Sequence, residues 1–134
     1  MKPAKGFTVM ELLIAVAIIS ILATLAVPQY RKTIERGYWR SAQDILQTIY
    51  SGEQVYWTTK NTYTDPGACA PAWRCIYMDN PNGSTIPVIF SVGGVTKSAF
   101  TATATRIGGP CDGKTQTLDE NRAAGGTWPT SGAC

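Results

Sequence analysis

The sequence predicts an α+β protein, in which a long amino-terminal helix packs on a small antiparallel sheet. Three observations support this fold class. Residues 7–27 form a nearly uninterrupted apolar run, an amphipathic helical pattern follows, and strand-like segments separated by glycine turns fill the carboxyl-terminal half. At 134 residues, the chain suits one domain with a modest hydrophobic core.

The apolar run reads FTVMELLIAVAIISILATLAV and carries a single charged side chain, Glu11. As an α-helix it is about 31 Å long, which matches the hydrocarbon thickness of a bilayer. Its large apolar side chains contribute roughly −4 to −7 kcal/mol to insertion, more than the cost of about 3 kcal/mol for one carboxylate. The segment is therefore predicted to cross a membrane.

The charges beside the apolar run predict its orientation. Lys2 and Lys5 precede it, so the positive-inside preference places the amino terminus in the cytoplasm and the residues after Pro28 outside. Arg31 and Lys32 on the far side reduce this asymmetry.

A secretory signal peptide and a plain signal anchor are the alternatives for this segment. A signal peptide ends in a small-residue cleavage site, and Ala23 and Ala26 match such a site poorly. A plain anchor leaves Glu11 without an explanation.

Pro28 either ends the membrane helix or lies within a longer one, because proline lacks an amide hydrogen and its ring clashes with the preceding turn. Continuation is favoured, since an apolar stripe at helical spacing resumes at once. The helix is then expected from about Phe7 to about Thr58, with Gly37 and Gly52 as weak points. The stripe comprises Ile34, Tyr38, Ala42, Ile45, Ile49 and Tyr56, whereas Glu35, Arg36, Gln43, Asp44, Gln47 and Gln54 mostly lie elsewhere.

Strand-like segments follow a mostly irregular connection over residues 61–82. Apolar, β-branched or alternating residues predict strands at 86–92, 98–106 and 115–118, with a fourth near Thr127 and Trp128. An antiparallel sheet packed on the helix stripe is the simplest assembly of these elements.

The residues around the start of the apolar run resemble a known family. Gly6-Phe7-Thr8-Val9-Met10-Glu11-Leu12 follows a short basic leader, and the apolar run ends in Pro28-Gln29-Tyr30. This pattern resembles the type IV pilins and the related type II secretion pseudopilins. The resemblance implies that a prepilin peptidase cuts between Gly6 and Phe7 and methylates the Phe7 amine. Val9-Met10 departs mildly from the family's usual leucine-isoleucine pair.

The resemblance also implies an organisation and a function. Residues 1–6 are the leader, 7–33 the membrane and assembly helix, and 34–134 the exported head, including the amphipathic half of the helix. The chain is expected as a single-pass inner-membrane protein and then in an extracellular homo-oligomeric filament, built by inner-membrane pilus assembly machinery for adhesion, twitching motility or DNA uptake. A minor pilin, a pseudopilin and an anchored binding module that never polymerises remain alternatives.

Glu11 needs a cation, because an unpaired carboxylate in apolar surroundings is costly. Cleavage creates an ammonium on Phe7, one helical turn away in the same chain. A pair within one subunit is therefore conceivable, but the resemblance favours the Phe7 amine of a neighbouring subunit. Glu11, Phe7 and Pro28 are the expected assembly residues.

Four cysteines in an exported head predict disulfide bonds. Cys69, Cys75, Cys111 and Cys134 allow three pairings. The resemblance favours Cys111 with Cys134, as in the tail loop of many pilins, which leaves Cys69 with Cys75. Zinc is disfavoured, because the chain has no histidine and no cysteine pair at the close spacing of zinc sites.

Enzymatic activity has no support in the sequence, since histidine is absent and no serine, threonine or carboxylate lies in a catalytic motif. No catalytic residue, metal or cofactor is assigned; Asp112, Asp119 and Glu120 lack a recognisable calcium loop. From residue 35 onward, basic and acidic side chains are equal in number and the basic ones do not cluster. No specific nucleic-acid binding is therefore expected.

Overall fold

The computed structural model describes residues 6–134, so Lys2, Lys5 and the rest of the leader before Gly6 lie outside the described residues. One long helix precedes a four-stranded antiparallel sheet, which confirms the predicted α+β class. The elements are α1 (Val9–Lys60), three 3₁₀ segments (Pro66–Ala68, Arg74–Ile76 and Pro81–Gly83), β1 (Val88–Gly93), β2 (Thr101–Arg106), β3 (Thr115–Asp119) and β4 (Ala124–Gly126).

Helix α1 is continuous through Pro28, which confirms the predicted continuation. Its 52 residues give a length of about 78 Å. The helix starts after Thr8 as N-cap and ends at Asn61, which adopts a left-handed conformation with φ of 55° and donates its amide to the Trp57 carbonyl. Asparagine tolerates this conformation better than most residues, so the stop is encoded locally.

The two halves of α1 differ in burial. Residues before Glu35 are exposed, and the buried positions all lie in the second half: Glu35, Ala42, Leu46, Ile49, Gly52 and Glu53. The predicted stripe is partly confirmed, because Ala42 and Ile49 are buried and Tyr38, Ile45 and Tyr56 are half-buried. It wrongly included the exposed Ile34 and omitted Leu46.

The sheet packs one face on the second half of α1. Strand order is β1-β2-β3-β4, with each neighbouring pair antiparallel. The alternating inward positions carry Val88, Phe90, Val92, Ala102, Ala104, Arg106, Gln116 and Leu118. Fully buried alanines at 102 and 104 leave room for the helix to approach the sheet. The fourth strand begins three residues before the predicted position, at Ala124.

An ion pair inside the head corrects the prediction for Glu35, which was assigned to the polar side of the helix. Glu35 is 4% exposed, and its carboxylate accepts hydrogen bonds from Arg106 Nε at 3.0 Å and Nη2 at 2.7 Å. The Arg106 guanidinium also lies 4.7 Å from the centre of the Tyr38 ring. Glu35 is buried because β2 supplies this partner, 71 residues away in sequence.

Gly52 was expected as a weak point of the helix, yet it lies at a close contact. A Cβ at this position would come within 2.5 Å of the Ile76 carbonyl oxygen. Glycine therefore permits the 3₁₀ segment Arg74–Ile76 to lie directly on α1. Gly37, in contrast, has open space around it.

Two disulfide bonds link the loops of the head. Cys69 is joined to Cys75, and Cys111 to Cys134, the pairing favoured at the sequence level. The tail before Cys134 lies against α1, where Arg36 Nε donates to the Ser131 carbonyl at 2.6 Å.

The outer edge of the sheet is partly covered by a side chain. The Asn82 amide group donates to the Phe90 carbonyl at 3.0 Å and accepts from the Phe90 amide at 2.6 Å. A side-chain amide thus occupies two of the backbone groups of β1 that another strand would use.

Candidate assembly site at the amino-terminal helix

The first half of α1 presents an apolar surface on all its sides. Phe7 is 87% exposed, and the large apolar side chains between Val9 and Val27 are between 51% and 78% exposed. By length and composition, α1 includes a stretch apolar enough to cross a membrane. Since contiguous exposed apolar surface of this extent is rare on soluble monomers, it marks contact with lipid or protein.

Glu11 lies in the first turn of α1, at the start of this apolar surface, and its side chain caps the helix. It occupies the third helical position, where its Oε2 accepts from the Thr8 amide at 2.9 Å and the Thr8 hydroxyl at 2.8 Å. In return, the Glu11 amide donates to the Thr8 hydroxyl at 3.2 Å. This reciprocal arrangement is a capping box, which satisfies backbone amides at the helix start.

The second carboxylate oxygen, Oε1, accepts no hydrogen bond from any residue in the described range 6–134. Glu11 is also the single charged residue from Gly6 to Tyr30. The subunit therefore offers one open anionic group on a mostly apolar surface. Such a group favours a cation from outside the subunit when this surface is removed from water.

The capping box was missed at the sequence level, although its signal was readable. A serine or threonine followed three residues later by glutamate, just before an apolar run, predicts a helix start. Thr8 and Glu11 have this spacing. Glu11 thus has two roles, one in capping the helix and one as a charge without a cation among residues 6–134.

The other expected site residues lie along the same segment. Gly6 and Phe7 are exposed and precede the helix, so their peptide bond is accessible in the uncleaved chain. In that chain Phe7 carries an amide and no ammonium, and the expected pair with Glu11 is not formed within it. Pro28 lies inside the helix, about two turns before Glu35, which forms the ion pair with Arg106 of the sheet.

These features define a class of protein: an α+β head on an exposed amino-terminal helix that is apolar enough to cross a membrane. Residues 1–27 match the family model described as the prokaryotic N-terminal methylation motif. Fimbrial protein EcpC of Eikenella corrodens is 31% identical over 117 residues, covering 85% of this chain and 72% of the relative.

Two further relatives match shorter stretches. Type IV major pilin protein PilA of Myxococcus xanthus is 38% identical over 61 residues, which cover 46% of this chain and 28% of the relative. A fimbrial protein of Pseudomonas aeruginosa is 64% identical over 31 residues, which cover 23% of this chain and 20% of the relative. In these two relatives, the match spans well under half of their length.

The chain belongs to the type IV pilin family, in agreement with the resemblance carried by residues 6–12. The relatives are named as pilins and fimbrial proteins, which are structural subunits and not enzymes.

Proposed function

We propose that this chain is a structural subunit of a type IV pilus, which polymerises through residues 7–33 and displays residues 34–134 outside the cell. The observation that carries the proposal is the apolar first half of α1, which the subunit leaves entirely exposed. Packing of these helices against one another removes that surface from water, as membrane insertion does before assembly.

The proposed route begins with a single-pass protein in the inner membrane, with its amino terminus in the cytoplasm. A prepilin peptidase cuts between Gly6 and Phe7 and methylates the new amine, and inner-membrane machinery adds the subunit to the filament. The match of residues 1–27 to a methylation motif supports this processing.

Glu11 sets the register between subunits in this proposal. After cleavage Thr8 is the second residue, so the capping box on Oε2 can persist while Oε1 receives the Phe7 ammonium of a neighbour. Breaking a buried charge pair of this kind costs about 3 to 5 kcal/mol per contact. Pro28 leaves the Thr24 carbonyl without its helical donor, so it provides a point where the helix can adjust on packing.

The test compares two variants that separate charge from capping. Glu11→Gln retains an amide oxygen that can complete the capping box, but it removes the charge, and we expect surface filaments to be lost. Thr8→Ala removes the cap at a cost of about 1 kcal/mol and retains the charge, so we expect filaments to persist. Filaments are counted by electron microscopy, with immunoblots as the check that both variants accumulate in the membrane.

Mass spectrometry of material sheared from the cell surface provides the second readout. The wild-type chain is expected there as an abundant polypeptide that begins at methylated Phe7. Recovery of the chain solely from membranes, or normal filaments built from Glu11→Gln, would contradict the proposal.

A further inference from the structure

A groove of about 450 Å³ lies where α1 leaves the head, between the helix and the carboxyl-terminal tail. Pro28, Arg31 and Lys32 line it from the helix, and Pro110, Gly132 and Ala133 line it from the loops of the head. The groove thus combines a mostly apolar wall with two long basic side chains. It lies directly beyond the apolar half of α1.

The tail that forms one wall of the groove is held in place by a close backbone contact, a hydrogen bond and a disulfide bond. Gly132 is buried with φ of 65°, and a Cβ there would come within 2.6 Å of the Lys32 carbonyl oxygen. The hydrogen bond from Arg36 to Ser131 and the bridge from Cys111 to Cys134 fix the tail on both sides of this contact. The groove is therefore preformed in the single subunit.

The side chains that line the groove carry a net positive charge. Arg31 and Lys32 form no ion pair with any residue of the described part of the chain, residues 6–134. Glu35, the one acidic side chain in the lining, is engaged by Arg106. A ligand in the groove therefore meets two available cations beside an apolar surface, which favours an amphipathic anion.

The position along the helix identifies the source of such a ligand. If residues 7–27 span the hydrocarbon core, Arg31 and Lys32 lie about 6 to 8 Å beyond it at 1.5 Å per residue. This depth is that of lipid headgroups, which occupy roughly 5 to 7 Å on each side of the core. The groove opens where a phosphate and the upper part of an acyl chain are both present.

We propose that this groove binds an anionic phospholipid of the outer leaflet of the inner membrane. The phosphate pairs with Arg31 and Lys32, and the glycerol and upper acyl carbons lie against Pro28, Pro110 and Ala133. The inference rests on the proposed membrane stage of the pilin, and it adds a specific lipid partner to that stage.

Loss of both basic side chains should weaken this selectivity by about 25-fold, because each contributes about a fivefold factor near an anionic surface. The test reconstitutes the mature chain, residues 7–134, in phosphatidylcholine nanodiscs that contain phosphatidylglycerol. Native mass spectrometry then measures how much phosphatidylglycerol each chain retains. The variants are Arg31→Gln with Lys32→Gln, and the matched control Arg40→Gln, which removes an exposed charge about 12 Å further along the helix.

A photoactivatable phosphatidylglycerol locates the contact. After reduction and trypsin digestion, label is expected on the tail peptide 123–134 in the wild type and in Arg40→Gln, and strongly reduced in the double variant. Equal retention in all three chains would overturn the inference, as would label confined to peptides of the helix. Cross-linking of the tail to a second copy of the chain, without lipid label, would assign the groove to a subunit contact instead.

Flotation of the same chains with vesicles distinguishes this inference from the proposed function. The double variant should still float, since its apolar segment is unchanged. Failure of every chain to insert would refute the membrane stage of the proposed function, whereas normal insertion without phosphatidylglycerol selectivity would refute the lipid site alone.

Discussion

The two halves of α1 share one continuous backbone but bury their side chains in different places. From Glu35 to Glu53 the helix buries one face in its own head. From Val9 to Val27 every large apolar side chain is at least half exposed. The second half is stabilised within the chain, and the first depends on lipid or on other subunits. Folding and assembly are thus assigned to different segments of the same helix.

The carboxylates of the two halves show the same division. Glu35 has its cation inside the subunit, in Arg106. Glu11 has hydrogen bonds from Thr8 and no cation among residues 6–134. A charge satisfied within the chain supports the fold of one head, whereas a charge left open is suited to specify a neighbour.

Leucine truncations test this division most strongly. Leu46 is 1% exposed and Leu22 is 60% exposed. We expect Leu46→Ala to lower the free energy of unfolding of the head by about 2 to 5 kcal/mol, through lost burial and a residual cavity. Leu22→Ala should change it by less than about 0.5 kcal/mol, as is usual for surface positions.

Guanidinium unfolding of the mature chain in mild detergent measures both variants, with the buried Trp73 and Trp128 as fluorescent reporters. Similar losses in the two variants would show that the first half of α1 also stabilises the head, so that the two halves do not differ in this respect.

Glu53 gives the second test, because it is a buried acid in the half that folds within the head. It is fully buried, and the Thr64 amide donates to its Oε2 at 3.0 Å, while Oε1 has no partner in the described residues. Burial raises the pKa of Glu53 to about 7; the Thr64 bond opposes this shift and the nearby charge of Asp65 adds to it.

Because the folded state holds this proton more tightly than the unfolded chain, the contribution of Glu53 to stability is complete below about pH 4.5. It is lost as the pH rises through about 7. We expect the head to lose on the order of 2 kcal/mol from Glu53 between pH 5 and pH 8. Glu53→Gln should flatten this slope in unfolding experiments across that range, with Asp44→Asn, an exposed acid on the same helix, as the control. An unchanged slope in Glu53→Gln would rule out this assignment.

Two glycines of α1 give the last test, because alanine should change the stability of the head in opposite directions at the two positions. Gly37→Ala should stabilise the head by up to about 1 kcal/mol, because alanine favours the helix and open space surrounds the position. Gly52→Ala should destabilise it by about 1 to 3 kcal/mol, because its Cβ would meet the Ile76 carbonyl. Thermal unfolding followed by circular dichroism compares them directly, and stabilisation by both would show that the loop moves aside without cost.

The continuous helix, the sheet and the membrane-compatible segment could all be predicted from local patterns. Hydrophobic spacing and β-branched runs report which side chains avoid water, and this information suffices for elements such as α1 and β2. The start of α1 is also encoded locally, in the spacing of Thr8 and Glu11.

Glu35 and Gly52 could not be interpreted from their own segment. A carboxylate at a helical position is normally solvent-facing, and its burial depends on Arg106 in a strand far along the chain. Likewise, a glycine within a helix lowers helix propensity, and the close approach of Ile76 becomes visible only in the folded head. Long-range partners decide both cases, and hydrophobic periodicity does not report them.

The Asn82 amide on the backbone of β1 has a consequence for crowded subunits. An open strand edge pairs readily with another chain, and this hazard grows with concentration. By occupying both backbone groups of Phe90, Asn82 shortens the length of edge on which a neighbouring head could add a strand. In the proposed filament, this favours contact between subunits through their helices and not through their sheets.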